Sequence, residues 1–388
     1  MATSKLPLRT ALIGLSSTAA TSWAANAHLP GLLSSTGRSK IAIKALLNSS
    51  VDAAKSAIKS FDLPPDTKAY GSPEDLAADP DIDFVICNTR VDKHYETIIS
   101  SVRAGQNVYV EWPIAAKQEH INELVETAKK SGSRIAVGLQ GRWVPPVVKM
   151  REILDNGNGT LGKVLSADVR AFGGTNDRET LPPSLKYFSE KEIGGNPITI
   201  GVGHTLDWVL SVVGEFEPST VHAQTQLQRP TIRIRDPSTK EIVDNVTSDV
   251  PDLLHVQGAL TASPQTVAGA TLSYSFRRGQ PFPGTPALVW TINCQRGEIR
   301  LVSPSGPALH ASGGTEAVTI EVHHFDTDEV KNISWAWSER QKELPLLARG
   351  VSECLYAFAE GRAEGDGWAS IESAAARARL IERFVSAA

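Results

Sequence analysis

Three residues near the middle of the chain are suited to moving a proton: Tyr187, His204 and Asp207. If the segment from about His204 onward is helical, His204, Asp207 and Trp208 lie one turn apart on one face. An imidazole is the side chain whose ordinary pKa is nearest neutrality, so His204 is the first candidate acid/base, Tyr187 the second, and Asp207 a group that orients His204 or packs. A second set is spread through the first 142 residues and suits binding rather than proton transfer. It comprises Gly14, Leu15, Ser16 and Ser17; Asn48 and Ser49; Asn88, Thr89 and His94; Glu111 and Trp112 of the run Tyr109-Val110-Glu111-Trp112-Pro113; and Gln140 with Arg142.

The binding set acquires meaning from the elements beneath it. Most of its members follow an apolar run: Gly14 after Thr10-Ala11-Leu12-Ile13, Asn48 after 41–47, Asn88 after 83–87, Glu111 after 107–110 and Gln140 after 134–139. Helical segments separate these runs, which predicts a parallel sheet with right-handed crossovers. Ligands of such sheets bind off the carboxyl ends of the strands. Gly14 alone is a weak signal, since Ser16 stands where a second glycine of a dinucleotide fingerprint would be. Convergence of the other strand ends is what points to a dinucleotide. After Asn48 and Ser49 no acid is present until Asp52 to hold both ribose hydroxyls, and Lys55 lies a turn beyond, so NADP is expected, with NAD as the other candidate. The same residues also suit helix N-capping.

After about residue 143 the pattern changes. Segments 164–172, 220–227, 253–260, 267–276, 287–302 (turning at Gly297) and 317–325 read as strands, several alternating apolar with polar residues. That predicts an antiparallel sheet with one covered face. The tail, 346–360 and 371–385, reads as helical. The expected organisation is an α/β dinucleotide-binding domain with a doubly wound parallel sheet over 1–143, then an α+β substrate and oligomerisation domain with an open, mainly antiparallel sheet and C-terminal helices over 144–388. An uncovered sheet face is expected to be apolar and to need a partner.

Composition excludes other classes. The 388 residues are 41% hydrophobic and 21% charged, with a net charge of −4 and no Lys/Arg block. A direct nucleic-acid partner is not expected. The three cysteines, Cys87, Cys294 and Cys354, have no metal-ligand spacing, and their separation fits a reducing compartment. With no signal peptide or membrane span legible, the cytosol is the expected location, the nucleus being the other option.

Taken together, stretches 11–14, 84–89 with His94, 105–113, Arg142, 157–162 and 203–207 resemble the glucose–fructose oxidoreductase/inositol dehydrogenase (Gfo/Idh/MocA) family, over nearly the whole chain. The resemblance implies a Rossmann domain, hydride transfer between NAD(P) and a carbonyl, alcohol or imine-type small molecule, and dimers or tetramers packed through the open sheet. It also implies His204 as the family histidine. Two positions depart from the family pattern. Trp112 replaces the lysine of Glu-Lys-Pro, and Ile200 replaces an aspartate four residues before the histidine. Both losses remove proton-handling groups. They recur in a fungal Gal80-like subgroup, which adds a cofactor-binding transcriptional regulator without turnover as the alternative function, with a protein partner in that case. A redox-neutral isomerase, lyase or cyclase is a further alternative. Trp112 and Trp143 would suit a hydrophobic or aromatic substrate.

Overall fold

The computed structural model describes residues 6–18, 21–157, 160–173, 177–311 and 317–386. Of the 157–162 stretch, Asn158 and Gly159 lie outside these residues. The chain forms two compact units.

The first unit is built on a sheet of β1 (Leu8–Ile13), β2 (Ile41–Leu47), β3 (Lys68–Tyr70), β4 (Phe84–Cys87), β5 (Asn107–Glu111) and β6 (Ile135–Gly138). Their order is β3-β2-β1-β4-β5-β6, all parallel. β4 and β6 are buried at every residue, as expected of strands covered on both faces. The order reverses between β1 and β4, and that switch point is where an open α/β sheet leaves a crevice for a ligand.

The C-terminal helices correct the expected division at 143/144. Residues 339–379 belong to the first unit, as do 192–195. Contacts explain it. Phe358 stacks on Phe84 with ring centroids 5.1 Å apart. Tyr356 donates its hydroxyl to the Gly31 carbonyl at 2.7 Å. Ala369 and Ser370 add an antiparallel strand beside β6. The returning 192–195 segment needs a glycine at 194, where φ is +79° and a Cβ would stand 2.6 Å from the Cα of Ala116.

The second unit holds β7 (Val164–Phe172), β8 (Thr180–Leu181), β9 (His222–Gln226), β10 (Thr231–Arg235), β11 (Ile242–Thr247), β12 (Leu253–Ala259), β13 (Thr266–Arg277), β14 (Leu288–Cys294), β15 (Gly297–Ser303), β16 (Thr319–His324) and β17 (Glu329–Asn332). Eight form one sheet in the order β17-β16-β15-β14-β7-β13-β12-β9, antiparallel except at the β7–β13 junction. Its inner face, including Val169, Tyr274, Trp290 and Ile292, packs with Met150, Leu206 and Trp208 from helices Pro145–Gly157 and Gly203–Val213. A small sheet, β11-β10-β8, was not foreseen, because its core is only Leu181, Ile232 and Ile234.

The outer face of the large sheet is not the apolar patch expected from sequence. Asp168, Arg170, His255, Gln257, Thr271, Ser273 and Arg300 are all exposed there. A face of that composition is compatible with water, so hydrophobicity gives no reason for it to be covered. No helix among the described residues is long and apolar enough to cross a membrane.

Candidate functional site

At the switch point, Gly14 leaves β1 with φ +86°. A Cβ there would lie 3.1 Å from the carbonyl carbon and oxygen of Asn88 and from Cγ2 of Thr89. The Asn88 N–H donates to the Ile13 carbonyl at 3.1 Å, so the two strand ends are laced together. Gly14→Ala is expected to destabilise the fold by about 1–3 kcal/mol, through forced left-handed geometry and this contact. Urea unfolding measures it, and a variant as stable as the parent would remove the argument.

Asn88 and Gln140 are the two side chains here whose chemistry is incomplete. Both amide atoms of each are shielded from solvent and make no hydrogen bond, and Gln140 is 1% exposed. Unpaired buried amides are costly, and they are the groups a bound ligand would satisfy. With the Gly14 cradle they fit a dinucleotide held at the carboxyl ends of β1, β4 and β6. Leu15 is fully buried, while Ser16 is half-buried, with its hydroxyl 3.1 Å from that of Thr18, and Ser17 is exposed. Among the described residues the next helix does not begin until Ala24, as a π-turn through His28.

Several residues assigned to the cofactor have their side chains engaged within the protein. Asn48 donates its amide to the carbonyls of Leu15 and Ala53, at 2.9 and 3.4 Å. Ser50, not Asn48 or Ser49, caps the following helix, accepting from the Ala53 N–H. Ser49 and Lys55 stay exposed. The two ring nitrogens of His94 face the carbonyls of Thr89 and Pro113, at 2.8 and 2.9 Å, so His94 braces two loops and offers a ligand no nitrogen. Burial holds its pKa below the ordinary value. Thr89, whose carbonyl is one of those acceptors, is half-buried beside it. Trp112 is 5% exposed.

Glu111 turns inward to a residue the sequence reading missed. Its Oε1 lies 2.5 Å from Nε2 of His28, which is fully buried. A Cβ at Gly138 would stand 2.5 Å from the other carboxylate oxygen, so the glycine makes room for Glu111. The carboxylate therefore ties the Ala24–His28 turn to the exit of β5.

Arg142 and Asp207 belong to the second unit and to each other. The guanidinium donates from Nε and Nη2 to the two carboxylate oxygens at 2.8 and 2.6 Å, with Asp207 1% exposed. Arg142, expected at the cofactor, and Asp207, expected to orient His204 or to pack, are joined in this bidentate pair. Around it, the helical segment begins earlier than expected, at Pro197, under an Asn196 cap that accepts from the N–H groups of Ile198 and Thr199. Ile200 lies in that added turn.

His204 has a wholly shielded Nδ1 without a partner. Burial pushes its pKa down to about 4, against an opposing pull from Asp207. The ring is neutral at pH 7, a hydrogen-bonding group and weak base rather than a ready acid. Its ring centroid is 4.9 Å from that of His310, a buried residue that sequence reading missed. Tyr187 lies in the 3₁₀ turn Pro183–Ser189, edge-on to Phe188 at 4.9 Å. No cluster of three or more His, Cys, Asp or Glu able to hold a metal occurs among the described residues.

Comparisons with known proteins place the chain by family and fold. The family described as "Oxidoreductase family, NAD-binding Rossmann fold" matches residues 8–139. A dehydrogenase of Aspergillus oryzae, aclE, is 30% identical over 317 residues, covering 79% of this chain and 82% of that protein. The chain belongs to the Gfo/Idh/MocA family. Residues 145–303 match the family described as "Gal80p, C-terminal domain". The galactose/lactose metabolism regulatory protein GAL80 of Saccharomyces cerevisiae is 26% identical over 307 residues, 77% of this chain and 68% of that protein. The fold is that of a super-repressor mutant of Gal80p from the same yeast, with a TM-score of 0.83 at 21% identity, over 98% of this chain and 95% of that one.

Proposed function

We propose that the chain is an NAD(P)-dependent oxidoreductase acting on a carbonyl, alcohol or imine-type small molecule. The observation that carries this reading is the pair of buried, unpartnered amides of Asn88 and Gln140, at the end of β4 and just beyond β6 in an NAD-binding fold. When bound, the dinucleotide would supply or remove the hydride. Asn88 and Gln140 would hold it through amide hydrogen bonds, and the bare Gly14 would let it approach the backbone. NADP is preferred because the first acid after β2 is Asp52, already within the following helix, whereas Ser49 and Lys55 stand exposed near the strand end. With Asn48 engaged internally, the preference rests on those two residues.

The neutral His204 would position and polarise the substrate oxygen through a ring nitrogen. During reduction the proton that completes the alcohol would come from solvent water, and during oxidation His204 would take up the alcohol proton and pass it to solvent. Tyr187 is the second candidate for that proton. With Trp112 in the place of the family lysine, that position offers no amine for the task. The cytosol is the proposed site of action, with a dimer or tetramer through the polar outer sheet face.

The test is oxidation of NADPH and NADH against a panel of carbonyl and imine substrates, followed by absorbance of the reduced cofactor. Turnover should fall by about two orders of magnitude or more in His204→Gln, with NADPH affinity unchanged. Full activity in that variant would end the assignment of His204. Failure to bind either dinucleotide would end the whole reading.

A second reading is favoured by Trp112, Ile200 and the Gal80p C-terminal match: a cofactor-binding regulator that performs no turnover. Tight NADP binding without turnover on any substrate, together with capture of an activator peptide, would select it.

A further inference from the structure

His310 stands beside the residue that handles the proton in the proposed reaction. Its ring centroid is 4.9 Å from that of His204, with the two planes tilted by 43°. Both rings belong to the second unit and reach each other from different elements. His204 is the second residue of helix Gly203–Val213, whose Leu206 and Trp208 are fixed in the core. His310 lies in the loop that leaves β15. That loop is fastened at several points. Ser303, fully buried, donates its hydroxyl to the Gly306 carbonyl at 2.6 Å. The Ala287 N–H donates to the Pro304 carbonyl at 3.2 Å, and the Ala311 N–H to the Ala308 carbonyl at 2.8 Å. Pro304 and Pro307 each fix a backbone torsion. Leu309, 3% exposed, is sunk in the same core that holds the His204 helix, so its neighbour His310 is brought to that helix by the fold itself.

The His204 ring is half-buried, with Nδ1 wholly shielded. Its open part is where a substrate oxygen would rest, so a seated substrate closes the direct way to water. A proton taken from an alcohol then has to leave through a neighbouring group. Asp207 is one candidate, but both of its oxygens already accept from Arg142, at 2.8 and 2.6 Å. Thr205, next on the helix, turns its hydroxyl to the Gly201 carbonyl at 2.8 Å. His310 is the remaining one. Imidazoles give and take protons near neutrality, and two at this separation can exchange one directly or across a single water. Two like charges so close are unfavourable, so the pair carries one transferable proton rather than two.

We propose that His310 serves the reaction through His204, as the second station of a proton path between substrate and water. The inference rests on the oxidoreductase reading. In oxidation the alcohol O–H bond breaks, its electron pair stays on oxygen, and an N–H bond forms on His204. His204 returns to neutrality by passing a proton to His310, which gives one to water. In reduction the order reverses: the oxygen receives a proton from His204, which is replaced from water by way of His310. His310 touches no substrate in either direction.

The parent, His310→Ala and His310→Gln are compared in NADPH-dependent reduction of the panel carbonyl that the parent consumes fastest. Both variants should show kcat lower by about tenfold or more, with KM and NADPH affinity unchanged. Imidazole added to the alanine variant should restore much of the lost kcat, because the free base fits the space left by the side chain. It should do nothing for His310→Gln, which keeps that space filled. A role in packing alone would not respond to added base. Should the alanine variant unfold early in urea, the glutamine variant decides through its kcat and KM. Full kcat in His310→Gln, a loss confined to KM, or a folded alanine variant that imidazole does not restore would each overturn the proposal while leaving the oxidoreductase reading in place. A parent that turns over no substrate removes that reading, and this inference with it.

Discussion

Asp207→Ala is expected to lower the unfolding free energy by about 3–5 kcal/mol, the cost of stranding one member of a buried ion pair. The side chain of Arg142 is 14% exposed and that of Asp207 1%, so the charge left behind has little water to turn to. Arg142→Ala should cost at least as much, because it strands the more deeply buried partner. The double variant Arg142→Met/Asp207→Leu should recover most of the loss, since apolar groups of similar volume replace buried ion pairs at little net cost. Urea unfolding of the four proteins, read as a double-mutant cycle, measures the coupling. A single variant within about 1 kcal/mol of the parent would show that the pair is solvated in solution. Position makes the pair matter for chemistry as well. Asp207 lies one turn beyond His204 on helix Gly203–Val213, so the ion pair anchors the turn that carries the imidazole. Loss of turnover in Asp207→Ala would therefore report displacement of His204 rather than a proton step at Asp207.

The parallel sheet was legible because β1, β2, β4, β5 and β6 are short, mainly apolar runs followed by polar turns, whereas β3, Lys68–Tyr70 with no buried residue, carries no such signal and was missed. The antiparallel strands were legible because their alternation matches a sheet with one covered face. The tail was assigned to the wrong unit for a physical reason. An amphipathic helix announces that it has a buried stripe but not which core receives it, and only the Phe358–Phe84 stack and the strand Ala369–Ser370 decide that. The small sheet was missed because strands such as Ile242–Thr247 are mostly exposed and carry no strong alternation.

At the site, residue identity was legible and partnership was not. Arg142 and Asp207 were both singled out, yet their mutual bond crosses 65 residues and nothing in the sequence announces it. His28 and Glu111 are 83 residues apart, and a histidine within an apolar helical run gives no sign of its carboxylate. Asn88 and Gln140 were named for standing at strand ends. Only the structure shows their amides unpaired, which separates them from Asn48 and His94, whose polar groups are engaged.

Acidification provides the strongest independent check on His204. An exposed histidine takes up a proton near pH 6.5, as His204 does when the chain unfolds, whereas in the fold it resists protonation down to about 4. Between those values the unfolded state holds more protons, so stability falls as pH falls through this window and is unaffected by His204 above it. At about 1.4 kcal/mol per pH unit, the contribution lost is about 3 kcal/mol. The groups that set the local field are Asp207, which favours the charged ring, its partner Arg142, and the His310 ring at 4.9 Å. His94 is also held low by burial and adds a loss of the same sign, so the informative quantity is the difference between the parent and His204→Gln. The variant should lose about 3 kcal/mol less than the parent on acidification across this window, by urea unfolding at its two ends. Parallel losses would mean that His204 is protonated as an ordinary surface histidine, and the neutral hydrogen-bonding role assigned to it in catalysis would fall with that result.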